Sequence, residues 1–97
     1  MPEPKEPHRK AVLALVRGRV QGVGFRYEAR SVARSLGILG WITNLTDGGV
    51  ETYAEGPDAA VNRYVQWLNH GPPGAHVDSL DISERIPKSK YTSFTVE

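Results

Sequence analysis

Between Val20 and Arg30 the sequence reads VQGVGFRYEAR. Gly22 and Gly24 precede Phe25, Arg26 and Tyr27, and a helical pattern begins directly after them. Glycines let backbone N–H groups converge on one point, and a helix start adds unpaired N–H groups and partial positive charge. Acidic side chains are favoured at such a place, yet the first charged side chain is the cation Arg26. A bound anion would resolve the conflict. A phosphate can take two charge-assisted bonds from the guanidinium fork while loop amides hold its remaining oxygens. The competing reading is a strand–helix turn carrying a solvated arginine, as Arg30 and Arg34 are expected to be. Neither of two familiar phosphate loops fits. Gly24 is not followed directly by a lysine and then a serine or threonine, and the third glycine of the dinucleotide fingerprint would fall on Tyr27.

A second candidate is Asn44, a neutral amide with acceptor and donor groups that can hold a water without repelling a phosphate. The alternative is an asparagine entering a turn. His8, His70 and His76 lack the one-turn spacing of a helical zinc site, so no metal is expected. Among the acids, Asp47 is explained by a turn, while Glu51 and Glu55 share one strand face and read as solvated. Trp41, Tyr64 and Trp67 are expected to pack rather than to stack on bases.

The elements that must place these residues follow from periodicity. KAVLALVRG alternates and reads as a strand over 11–18. Ala29, Val32, Ala33 and Leu36 form one apolar stripe of a helix that Gly37 ends. ILGWITN is a second strand, Thr46-Asp47-Gly48-Gly49 a hairpin turn, and VETYAEG the returning third strand. Gly56-Pro57-Asp58 opens a second helix with Val61, Tyr64, Val65 and Leu68 as its apolar side. Residues 75–85 alternate as a fourth strand, and 91–96 form a short extra edge strand. The order β-α-β-β-α-β predicts an α+β, ferredoxin-like sandwich: an antiparallel sheet with two helices on one face. Asn44 then falls at the end of strand two, beside the hairpin.

Composition narrows the classes. At 97 residues one domain is expected, read as 11–97 preceded by a mobile tail over 1–10 (MPEPKEPHRK, with three prolines), which is neither a signal peptide nor a helix. The absence of cysteine removes disulfides, thiolate zinc sites and cysteine nucleophiles, and accords with a reducing cytosol. A net charge of +1 and the lack of aromatic strand motifs argue against nucleic acid. No apolar run has the length of a membrane span.

VQGVGFR (20–26), LGILGWITN (36–44), DGGVE (47–51) and GPPGAHV (71–77) resemble the acylphosphatase family, and the resemblance runs in order through residues 11–97. The loop motif with an asparagine eighteen residues beyond its arginine is a highly specific combination. The resemblance implies a metal-free, cofactor-free hydrolase that splits the carboxyl–phosphate bond of acyl phosphates into a carboxylate and inorganic phosphate. It implies that Arg26 binds the phosphate with the backbone amides of Val20, Gln21, Gly22, Val23, Gly24 and Phe25, and that Asn44 positions the attacking water. A cytoplasmic monomer is expected, with no membrane or nucleic-acid partner. The chain departs from the family at SFTVE, which ends in an acid where a supporting tyrosine or arginine is common; the C-terminal carboxylate reaching Arg26 there would retune the site. The alternative is a non-catalytic phosphate-binding module, or one serving carbamoyl phosphate chemistry within hydrogenase maturation.

Overall fold

The computed structural model describes residues 8–97, and seven elements follow one another along them. They are β1 (Arg9–Arg19), α1 (Phe25–Ser35), β2 (Leu39–Asn44), β3 (Val50–Pro57), α2 (Asp58–Leu68), β4 (His76–Arg85) and β5 (Phe94–Val96). The sheet order is β4-β1-β3-β2-β5. β1 pairs antiparallel with β3 and β4, and β2 pairs antiparallel with β3. Arg9 and Lys10, expected in the tail, belong to β1 and pair with Pro57 and Gly56. The rest of that expected tail, residues 1–7, lies outside the described residues.

Alternation decides the two faces of the sheet. Val12, Ala14 and Val16 of β1, Val50 and Ala54 of β3, Ile42 of β2 and Phe94 of β5 are buried on one side. There α1 covers β2 and β5, while α2 covers β1 and β3. The helices present the expected stripes, with Phe25, Ala29 and Ala33 buried on α1 and Val61, Tyr64 and Leu68 buried on α2. The buried Tyr64 hydroxyl meets Thr52 Oγ1 at 2.9 Å, so its burial leaves no unpaired polar group.

Two further expectations change. The sheet is mixed, because β5 runs parallel to β2. β4 finishes at the end of the sheet where β1 starts, with Arg85 opposite Ala11. The chain crosses below the sheet to the far edge and must run back in the direction of β2. The second change is Glu55, which is not solvated but completely buried. The crossing segment covers it: the backbone N–H groups of Lys88 and Ser89 donate to Glu55 Oε1 at 3.0 and 3.3 Å. The Tyr53 hydroxyl donates to the same oxygen at 2.6 Å, and Arg9 Nη2 lies 3.6 Å from Oε2. Burial by itself raises a carboxyl pKa, but the Tyr53 hydroxyl, the two amides and Arg9 outweigh it and hold Glu55 below its usual value. Burial, with the bond to Glu55 next, pushes Tyr53 up to about 12.

Candidate active site

The candidate site lies at the opposite end of the sheet, where β1 leaves for α1 and β2 turns into β3. Its loop is fixed from beneath. Val20 and Phe25 are buried, Val23 packs against the same core, and the Phe25 ring meets Trp67 edge-on with centroids 5.2 Å apart. With these side chains turned inward, the glycines between them face open space. Gly22 and Gly24 have φ of 77° and 78°, a left-handed conformation that side chains disfavour. A Cβ at either position would meet nothing within 4 Å. Glycine is therefore required here by backbone conformation and not by crowding.

Gly24 also caps α1, with no side-chain cap bond. The Glu28 N–H bonds back to the Gly24 carbonyl at 3.0 Å. From Gln21 to Tyr27, no backbone N–H has an acceptor among the described residues. A row of unpaired donors of this length at a helix start is an anion site in electrostatic terms. Arg26 stands within it. Its Nη1 donates to the backbone oxygen of Glu97 at 2.7 Å, which holds the guanidinium in place while other N–H groups remain available. The Glu97 side chain is engaged with Thr95 Oγ1 at 3.2 Å. At this departure from the family pattern, the oxygen that reaches Arg26 belongs to the Glu97 main chain and not to its side chain.

A pocket of about 170 Å³ opens here, lined by Val20, Gln21, Gly22, Gly24, Phe25, Arg26, Tyr27 and Asn44. Seven of these were candidates from the sequence; the eighth candidate, Val23, turns into the core and does not line the pocket. Tyr27 was not a candidate. It is 57% exposed, with the Arg26 and Arg30 guanidiniums 5.7 and 5.4 Å from its ring centroid. An aromatic following Arg26 was the available signal. Asn44 ends β2 opposite Val50, and its side chain has no hydrogen-bond partner among the described residues.

The hairpin beyond Asn44 is closed by the Leu45 N–H on the Gly49 carbonyl at 2.8 Å. Asp47 Oδ1 accepts from the Gly49 N–H at 3.0 Å, and Oδ2 pairs with Arg17 Nη1 at 2.6 Å. The Gly49 amide first and the Arg17 bond second hold Asp47 below the usual carboxylate range. The Gln21 side chain points to this hairpin, where Nε2 donates to both the Leu45 and Gly49 carbonyls at 2.8 Å. No three His, Cys, Asp or Glu among the described residues, His8, His70 and His76 included, group as metal ligands would.

The chain matches the acylphosphatase family over residues 12–96. It is 45% identical over 78 residues to an acylphosphatase of Acaryochloris marina, a span covering 80% of this chain and 84% of that one. The fold matches the solved acylphosphatase of Coxiella burnetii with a TM-score of 0.87 at 35% identity, covering 92% of this chain and 93% of that one. It matches the Bacillus subtilis acylphosphatase equally well, with a TM-score of 0.87 at 34% identity, covering 91% and 98%.

Proposed function

The chain belongs to the acylphosphatase family and hydrolyses acyl phosphates to a carboxylate and inorganic phosphate, and we propose that the glycine loop, Arg26 and Asn44 carry that reaction. The observation that supports this reading most is the row of unpaired N–H groups from Gln21 to Tyr27, gathered with Arg26 and Asn44 around one pocket. The amides and the guanidinium hold the phosphoryl oxygens and neutralise charge as it spreads over them. Asn44 orients a water in line with the bond to the acyl oxygen. As the water oxygen bonds to phosphorus, the phosphorus–acyl oxygen bond breaks and its electron pair leaves with the carboxylate. The proton lost by the water passes to phosphate or solvent. No Ser, Thr, Cys or His lines the pocket, so water is the nucleophile this site can offer. A carboxylate is already a good leaving group, and positioning with charge stabilisation supplies the catalysis.

We infer a cytosolic protein, which a small domain without cysteine fits, and a monomer that needs no cofactor. The test is hydrolysis of benzoyl phosphate, with and without a chelator, by wild type and Asn44→Ala. Turnover should resist the chelator. Asn44→Ala should lower kcat by about 10²-fold, with inhibition by inorganic phosphate nearly unchanged, because water placement acts on chemistry more than on binding. An unaltered kcat in the folded variant removes Asn44 from the mechanism.

A further inference from the structure

The amide side chain of Gln21 lies within the phosphate loop but does not face a phosphate. An amide nitrogen carries two hydrogens, and both are directed at carbonyls, Leu45 O and Gly49 O, each at 2.8 Å. What remains is Oε1, an acceptor, which a phosphate would repel. The two carbonyls belong to the neck of the β2–β3 hairpin, joined to each other through the Leu45 N–H. The pair preceding that neck is Asn44 opposite Val50. Gln21 therefore spans from the loop to the residue adjoining Asn44, across 24 and 28 positions of sequence.

Among the described residues, no other side-chain hydrogen bond connects residues 20–25 to the hairpin. The Arg17–Asp47 pair anchors the same hairpin to β1, not to the loop. Among the described residues the Asn44 side chain has no hydrogen-bond partner, so its placement depends on its backbone, and its backbone is tied to the loop through Gln21. We propose that the Gln21 side chain is a positioning residue that sets the separation between the phosphate cradle and the water held by Asn44. The inference rests on the roles given above to the loop and to Asn44. Reacting groups tolerate little displacement; a shift of about 1 Å can cost about 10²-fold in rate. A phosphate held by amides and Arg26 would not register the movement of a hairpin it does not touch.

The test compares Gln21→Met, Asn44→Ala and the double variant. Methionine keeps the length of the chain and removes both donors. Gln21→Met should lower kcat on benzoyl phosphate about 10- to 100-fold, leaving the inhibition constant of inorganic phosphate within about threefold. In the double variant the two losses should fail to multiply, because a displaced Asn44 and an absent one are the same defect. Multiplicative losses, or parallel loss of phosphate affinity and kcat, would overturn the positioning role. If Asn44→Ala alone is fully active, the failure lies in the role given to Asn44 and not in the tether. Should Gln21→Met not fold, Gln21→Lys retains donors for both carbonyls: kcat above that of Asn44→Ala supports the proposal, and kcat equal to it rejects it.

Discussion

Two sets of converging donors stand at opposite ends of the sheet and on opposite faces, and they use nearly the same chemistry. Around Glu55, two backbone N–H groups, a hydroxyl and the Arg9 guanidinium surround a carboxylate that the chain itself supplies. Around the glycine loop, a row of N–H groups and the Arg26 guanidinium surround a pocket that no Asp or Glu side chain among the described residues lines. The first set is sealed under the segment joining β4 to β5; the second opens to solvent. The difference teaches where each set's free energy goes. Donors that find a covalently attached anion stabilise the fold, whereas donors left unpaired bind what arrives from solution.

Breaking the open set should give the largest effect, and it should fall on activity. Arg26→Ala should lower kcat/KM by about 10²- to 10³-fold, the loss typical of one preorganised donor to developing charge. Arg26→Lys should recover little, since an ammonium cannot reproduce the planar fork. Denaturant unfolding in phosphate-free buffer should change little for both variants. Phosphate at about 100 times its Kd should stabilise wild type by about 2.7 kcal/mol and Arg26→Ala far less at the same concentration. A large loss of stability in the alanine form without ligand would make Arg26 structural, and near-normal activity in the lysine form would show that a point charge suffices.

Breaking the sealed set should move stability and spare the chemistry. Glu55→Gln leaves donors aimed at a group that no longer carries charge, and should cost about 1–3 kcal/mol. The folded variant should keep wild-type kcat/KM on benzoyl phosphate and the same stabilisation by phosphate. The pH dependence follows from the shifts. Glu55 is held below its usual value, so its contribution is complete above that value and disappears as pH falls through the lowered folded pKa. Tyr53 is raised to about 12, so its contribution is present below its usual value near 10 and disappears as pH rises towards 12. Urea unfolding at several pH values should show the acid limb flattened in Glu55→Gln. An unchanged acid limb would mean that the buried carboxylate is not what stabilises the acid side.

The two sets were unequally legible in the sequence, and the reason is range. Gly22, Gly24, Phe25 and Arg26 declare a turn, a helix start and a misplaced cation within seven residues, and Asn44 follows once the order of elements is known. Glu55 carried the opposite signal: alternation puts it on the face without helices, and such faces are commonly wet. The segment that dries it, 86–93, has no apolar periodicity, and its amides reach Glu55 from more than thirty residues away. The Gln21 side chain was hidden for a similar reason. A glutamine in a glycine loop reads as part of the cradle, and only the folded hairpin shows that both of its donors are taken. The parallel β5 likewise depends on the end of the sheet at which β4 stops, which no local pattern records.

The smallest expected effect lies beside the open set, at Asp47 and Arg17. This pair is half exposed on both sides and tethers the hairpin beside the site from outside. Asp47→Asn keeps an oxygen for the Gly49 N–H and loses the charge opposite Arg17. Exposed ion pairs contribute little, so the melting temperature should fall by less than it does for Glu55→Gln, and the difference should shrink further in salt. Because Asp47 is held below its usual value, its contribution exists at neutral pH and fades as pH drops through the folded pKa; the asparagine form should lose that part of the acid limb alone. The kcat should stay near wild type, since the tether from hairpin to loop runs through Gln21 and not through Arg17. The comparison to make is kcat for Asp47→Asn against Gln21→Met in one buffer. Equal losses would show that any anchor on the hairpin sets the position of Asn44, and the loop-to-hairpin tether would lose its special role.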